Sequence, residues 1–463
     1  MIAHWLACAD GNSKIRRPAS VRSRIRHPVR LIPLGFLMMV IIGAILLMLP
    51  VSTTGSGGAD LITALFTAVS AVCVTGLIVV DTASYWSTFG QGVILAMIQI
   101  GGFGFMAGAT LLGLMVSRRL GLRTRLLAQA ETRTIALGEV TSVLKLALAM
   151  TLTIEAVVAA LIVQRLYVAY DEPDWTALWN GIFHSVSAFN NAGFSTYPDS
   201  LMSLSADAVI LTGIMVAVIA GGIGFPVMAD LKRNWREPSR WTLHTKLTLL
   251  GTVILLIVGF AVTLIYEWGN PTTIGNLATG EKLLGAMFHS VMTRTAGFNS
   301  LDIGGMEPET LMVTIFLMII GGGSAGTAGG IKVSTIMILA LVAWSEIRAE
   351  PDAVAYGRRI SRDAQRQALT VVIFAIVLIS ASTLAIMTVT HLDLEPVLFE
   401  VVSAFATVGL STGITADLPP IALLVLIILM FLGRVGTITV ATALALRHSA
   451  RPYRYPEERP IVG

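Results

Sequence analysis

Charged side chains are scarce in this chain. Only 13% of its 463 residues are Asp, Glu, Lys or Arg, about half the share of an ordinary soluble domain, while 55% are hydrophobic. A soluble domain has no means of hiding that much apolar surface, so the composition implies a polytopic membrane protein. Cysteine is scarcer still. Cys8 and Cys73 are the only two, which excludes a disulfide framework and a cysteine-rich metal site and leaves both as free thiols. No small-residue cleavage site follows the basic N-terminal stretch. Leu31 to Val51 is long enough to span a bilayer, so it is read as a first membrane helix rather than a signal peptide. The apolar runs also lack clustered carboxylates, histidines or a serine nucleophile, which speaks against an intramembrane enzyme.

What the chain does contain is one stretch used four times. It reads FTAVSAVCVTGL at Phe66–Leu77, FHSVSAFNNAGF at Phe183–Phe194 and FEVVSAFATVGL at Phe399–Leu410. A copy shorter by one residue, FHSVMTRTAGF, lies at Phe288–Phe298. Each is too short to cross a membrane and lies between two long apolar runs. The pattern suits a pore loop: a short helix entering the membrane, then an extended strand whose backbone faces a central hole.

The positive charge sorts the rest of the chain. Five clusters hold 27 of the 32 Lys and Arg. They lie at Lys14–Arg30, Arg118–Lys145, Lys232–Lys246, Arg348–Arg366 and Arg447–Arg459, always between units or at a chain end. The positive-inside rule puts all five in the cytoplasm. Each unit then begins and ends inside, with two spans and a stretch that dips in from outside. The expected architecture is an all-α membrane protein with eight transmembrane helices, in four parallel helix–pore loop–helix repeats around a pseudo-fourfold pore, as in a potassium channel. The repeats fall at residues 31–119, 140–233, 244–346 and 366–448, between cytoplasmic tails at 1–30 and 449–463. Outer acidic residues such as Asp60, Asp81, Glu172, Asp302 and Asp417 would draw cations to the mouth. A sodium-coupled solute symporter, the main rival, would call for inverted repeats instead.

The four cores are Val74-Thr75-Gly76, Asn191-Ala192-Gly193, Thr295-Ala296-Gly297 and Thr407-Val408-Gly409, each followed by Leu or Phe. Their shared glycine allows backbone angles that aim carbonyls inward, and rings of carbonyls replace the hydration shell of a potassium ion. The filter is the only metal site expected, with potassium as its ion and sodium as a further candidate in the pore. None of the cores has a second glycine after the Leu or Phe, so a looser filter than that of a classical potassium channel is expected. Arg294, beside the third core, is expected to turn away from the pore and pair with a carboxylate, Glu400 being one candidate. His184 and His289 occupy matching positions, where hydrogen-bonded packing is favoured over metal ligation.

A Gly-rich spot follows each filter glycine by 24 to 28 residues. Gly101-Gly102-Phe103-Gly104 and Gly221-Gly222-Ile223-Gly224 are read as close helix packing. The third, Gly321-Gly322-Gly323-Ser324-Ala325-Gly326-Thr327-Ala328-Gly329-Gly330, is too rich in Gly, Ser and Thr to hold a helix. It should break the span into two pieces joined by a flexible gating loop, with Lys332 just beyond. In the fourth, Arg434 stands where the others have Gly. An intramembrane charge is a functional candidate. Arg434 is taken as an electrostatic barrier facing the cavity, with capping of the broken helix's carbonyls as the structural alternative.

These features together resemble the Ktr/Trk/HKT superfamily of potassium transporters. The resemblance covers nearly everything from Leu31 onward and rests on the four stretches, Gly321–Lys332, the Gly433-Arg434-Val435-Gly436 site and the tail Tyr453–Arg459. Eight spans and a short tail look more like its KtrB-type branch than its TrkH-type branch, which has further N-terminal helices. The first core departs from the pattern with Val74 in a Thr position and Cys73 beside it. The resemblance implies potassium uptake across the cell inner (plasma) membrane, stimulated by sodium. It also implies a homodimer with one pore per protomer and a KtrA-like ring of cytosolic nucleotide-binding RCK subunits on the basic inner face. The nucleotide would then sit on the partner, with no tightly bound cofactor and no nucleic acid on this chain.

Overall fold

In the computed structural model, residues 28–119 and 137–436, with Glu458 besides, are described. Both tails for the most part, the basic residues Arg123, Arg125 and Arg133, and the last part of the fourth unit lie outside the described residues. Among the described residues, four apolar helices are long enough to cross a bilayer unbroken: Thr88–Gly108, Leu144–Tyr170, Leu243–Glu267 and Arg362–Thr390. At about 1.5 Å per residue, each reaches or exceeds a hydrocarbon core of roughly 30 Å.

The elements recur in the same order. The first unit has α1 (Pro28–Leu47), the short α2 (Leu61–Val72) and α3 (Thr88–Arg119). The second has α4 (Leu137–Tyr170), the short α5 (Asp174–Phe189) and a second helix in two pieces, α6 (Ala208–Ile223) and α7 (Phe225–Asn234). In the third, α8 (Leu243–Glu267) and the short α9 (Thr279–Met292) precede α10 (Pro308–Ile319) and α11 (Val333–Ile347). The fourth has α12 (Arg362–Thr390), the short α13 (Leu394–Ala406) and α14 (Pro420–Phe431), which passes into a π-helical turn at Leu432–Gly436.

Local chemistry sets the ends. The Asp60 carboxylate accepts the Ile62 and Thr63 N–H groups and starts α2, and Asp207 does the same for α6 through Val209 and Ile210. Pro308 and Pro420 open α10 and α14, where their missing N–H costs nothing.

The packing between units is cyclic. Helix α3 packs on α5, α6 on α9, α10 on α13, and α14 on α2. Each second helix therefore meets the short helix of the next unit, and the fourth returns to the first. The repeated Phe66, Phe183, Phe288 and Phe399 on the short helices are all fully buried, whereas α8 and α12 turn Ile254, Ile257, Ile265, Ile373, Ile376 and Leu384 outward. An apolar outside of this kind suits lipid rather than water.

One expectation is corrected. The Gly221–Gly224 spot does more than pack helices: the second unit's helix breaks there too, with α6 and α7 at 98°. Gly224 has a φ of +90°, which a side chain would resist. Pro226 then fits the first turn of a new helix. A Cβ at Gly224 would also press on the Ser324 carbonyl, so this turn makes room for the Gly-rich loop of the third unit.

Candidate functional site

The four cores meet. A Cβ at Gly76 would overlap the Ala192 carbonyl oxygen, and one at Gly193 would crowd that of Ala296. The same holds for Gly297 against Val408, and for Gly409 against Thr75. Each core glycine lies against the carbonyl of the next unit's middle residue, and the fourth closes on the first. All twelve core residues are buried. The backbone repeats as well: Val74, Asn191, Thr295 and Thr407 have φ between 50° and 79°, and the four glycines between 70° and 95°. For the β-branched Val74, Thr295 and Thr407 this conformation is uncommon and costs on the order of 1–3 kcal/mol each. A positive φ at the same position in all four copies belongs to the design of the ring.

The middle N–H group of each core is tied backward, to the short helix of its own unit. Thr75 N donates to Ser70 O at 2.7 Å, Ala192 N to Ser187 O at 2.7 Å and Val408 N to Ser403 O at 2.8 Å. In the shorter third copy Ala296 N reaches Met292 O at 3.2 Å. The serine hydroxyls add a second tie. Ser70 Oγ accepts from Gly76 N at 3.1 Å and donates to Leu77 O at 2.8 Å. Ser187 donates to Phe194 O at 2.9 Å, and Ser403 accepts from Gly409 N at 3.1 Å. Among the described residues, no N–H or O–H donates to the carbonyl oxygens of Thr75, Ala192, Ala296 and Val408. Buried carbonyls are rarely left so, and these four come from neighbouring units of one ring. The short helices end just behind, so their partial negative ends add to the carbonyl dipoles. Asn191 and Thr295 hydrogen-bond across the units at 3.2 Å, in an orientation that lets the amide nitrogen donate to the Ala188 and Val218 carbonyls.

Sequence reasoning missed the three serines. Their signal is the tripeptide Val-Ser-Ala, present in three of the four stretches at Val69–Ala71, Val186–Ala188 and Val402–Ala404. Just beyond the second stretch, Tyr197 donates to Glu172 at 2.7 Å. Burial first, then the Glu172 carboxylate, pushes this phenol well above its ordinary pKa. His184 contacts the Asn180 carbonyl at 2.7 Å and Ser195 at 2.9 Å, and His289 contacts Thr314 at 3.1 Å. Among the described residues no cluster of His, Cys, Asp or Glu could hold a metal ion.

Beneath the ring, Gly101, Gly221 and Gly433 lie directly on the carbonyls of Val72, Phe189 and Phe405, the same position in three stretches. In the third stretch that position is Arg294, and here an expectation fails. Among the described residues, Arg294 pairs with no carboxylate. Its guanidinium points to Thr252 O and Oγ1 at 3.4 Å and Gly321 O at 3.5 Å. Glu400 instead accepts from Ser411 Oγ at 2.5 Å, Thr412 N at 3.1 Å and Thr415 Oγ1 at 2.8 Å. The reason is depth. Arg294 sits five positions further along its stretch than Glu400 does along its own, roughly 7 Å deeper at the helical rise.

The Gly321–Gly330 segment is non-helical and folds back under the ring. Ile331 N donates to Ile319 O at 3.1 Å and Gly321 N to Ile331 O at 2.9 Å, closing the neck of a loop. Gly323 N and Thr327 N donate to Gly222 O and Gly221 O at 2.8 and 3.1 Å, and Thr327 Oγ1 donates to Phe189 O at 3.1 Å. Gly329 lies against the Thr407 hydroxyl of the fourth core. Lys332 Nζ reaches back to Ala328 O at 2.6 Å. Arg434, fully buried, donates to the Thr327 carbonyl. Arg434 therefore holds a carbonyl of the loop itself rather than the ends of the broken helix.

A family model described as "TrkH: Cation transport protein" matches residues 36–453. The chain is 38% identical to a Bacillus subtilis protein named Ktr system potassium uptake protein B, over 94% of this chain and 97% of that one. It is 37% identical to the Vibrio alginolyticus protein of the same name, over 94% of each. With the Enterococcus hirae potassium/sodium uptake protein NtpJ the identity is 37%, over 96% and 98%. Among solved structures, the crystal structure of the potassium transporter TrkH from Vibrio parahaemolyticus has a similar fold, with a TM-score of 0.68 at 18% identity over 93% of this chain and 87% of that one.

Proposed function

Because the chain belongs to the TrkH family of cation transport proteins, we propose that it takes up potassium ions across the cell membrane, with the ring of four cores as its selectivity filter. The observation that carries this reading is the cyclic contact of Gly76, Gly193, Gly297 and Gly409 with carbonyls of the neighbouring core. The middle N–H group of each core is bonded behind the ring, while the middle-residue carbonyls have no donor among the described residues. A potassium ion shed of water needs a cage of oxygens of this kind, and the strained backbone holds them in place before the ion arrives. Tying the N–H groups back keeps the carbonyls from turning away.

The Gly321–Gly330 loop, held by Arg434 and Lys332, is the gate. It lies beneath the filter and contacts the second and fourth units through Gly221, Gly222 and Thr407. The buried cations add a barrier to a permeating ion. Sodium stimulation, a homodimer and a cytosolic nucleotide-binding RCK ring complete the proposal. They are supported by the likeness to Ktr system proteins, and the Enterococcus protein named for potassium and sodium lends weight to the sodium role. The chain is a transporter subunit rather than an enzyme, multi-pass in the inner (plasma) membrane, with both termini in the cytoplasm.

The test is selectivity. In Gly297→Ser and Gly409→Ser the new side chain displaces the Val408 or Thr75 carbonyl. Potassium-over-sodium preference in a reconstituted flux assay should fall by about tenfold, one carbonyl's worth of roughly 1–2 kcal/mol. Unchanged selectivity in both variants would sink the filter assignment.

A further inference from the structure

Phe105 lies on α3 of the first unit, 1% exposed, one residue beyond the first Gly-rich spot. Two cations from two other units share its ring. Arg434 of the fourth unit has Cζ at 4.3 Å from the ring centroid, and Lys332 of the third has Nζ at 5.4 Å. Neither forms an ion pair among the described residues, and Nε and Nη2 of Arg434 have no hydrogen-bond partner. Two buried positive charges this close repel each other strongly in a low dielectric. The negative face of an aromatic ring is what offsets them here. Each cation spends a donor on the loop: Arg434 on Thr327 O, Lys332 on Ala328 O at 2.6 Å and Gly329 O at 3.4 Å.

From this geometry we propose that Phe105 is the latch of the loop. It is a positioning residue that acts through Arg434 and Lys332: its ring keeps both cations seated, and the seated cations keep the loop beneath the filter. This rests on the reading of Gly321–Gly330 as the gate. Weakening the ring's attraction without changing its shape should release the loop.

The experiment measures rubidium uptake into liposomes holding the full-length chain. Position 105 carries Phe, Leu, or phenylalanines with one, two and three ring fluorines, which keep the shape and drain the ring face. A further chain lacks Ser324–Thr327. Uptake should climb with each fluorine and rise roughly tenfold in Phe105→Leu, the scale of a desolvated cation–π contact. In the chain with the shortened loop, the fluorinated residues should change nothing further. A flat fluorine series beside a raised Leu variant assigns the ring to packing and overturns the latch. So does a flat result throughout while the shortened loop raises uptake, and so does a fluorine effect that persists without the loop. If shortening the loop also fails to raise uptake, the gate reading falls and the latch with it. Should Phe105→Leu not fold, the fluorinated series decides alone.

Discussion

At the scale of single residues, the ring depends on side chains that never face its axis. Ser70 is the clearest. Its hydroxyl accepts from Gly76 N and donates to Leu77 O, gripping the first core on both sides of its last peptide. Ser70→Ala leaves a buried N–H and a buried carbonyl without partners, a loss of about 1–3 kcal/mol. The expected outcome is a core that holds potassium more weakly. Thermal unfolding followed against rising potassium should show the stabilisation moving to several-fold higher concentration, because the ion's binding energy adds to stability only where the site is formed. A potassium dependence like that of the unaltered chain would mean that the serine is not part of the site's support. Arg294 teaches a related lesson. A charge beside the filter reads as a threat to a cation, yet the side chain runs outward and down to Thr252 and Gly321, where it ties the third short helix to the neck of the loop.

At the scale of elements, two second helices are broken among the described residues, and the breaks face each other. The third unit breaks because ten residues of Gly, Ser, Thr and Ala cannot sustain a helix. The second breaks at Gly224, where α6 and α7 turn by 98° and leave space against Ser324. The loop is thereby bonded to the Gly221 and Gly222 carbonyls of a neighbouring unit. Removing Ser324–Thr327 deletes the segment that carries the contacts to Gly221, Phe189 and Arg434. Uptake by such a chain in cells lacking their own potassium uptake should exceed that of the unaltered chain. A well-folded chain with less uptake, or the same, counts against the gate.

At the scale of the whole molecule, the cyclic order is the property that matters. Helix α14 packing on α2 closes a ring of four units, and only units of one orientation close in this way. The same orientation demands that all connections between units lie on one side. With Cys8 and Cys73 replaced, single cysteines at Ser239 and Glu350 should react with a membrane-impermeant thiol reagent only from the inside. Those at Ala206 and Gly280 should react only from the outside. Labelling of Ser239→Cys and Glu350→Cys from opposite sides would mean inverted repeats and a symporter-like plan.

Much of this was legible in one dimension. Apolar run length and the scarcity of charge determined a helical membrane protein, because the bilayer sets a local requirement that any twenty-residue window reveals. The four stretches and their glycines were visible because a fourfold site built in one chain must repeat its sequence. The break at Gly321–Gly330 could be read from composition. The pairings could not be read this way. Glu400 was a chemically sensible partner for Arg294, but depth along the short helices separates them. Gly224 looked like a packing glycine until the loop of another unit filled the space it leaves. The contact of Arg434 with Thr327 spans 107 residues, and that of Phe105 with both cations joins three units. Sequence determines which groups are present and how each segment folds. Which buried donor meets which acceptor is decided by the closing of the ring, since only there do segments from different units reach the same depth.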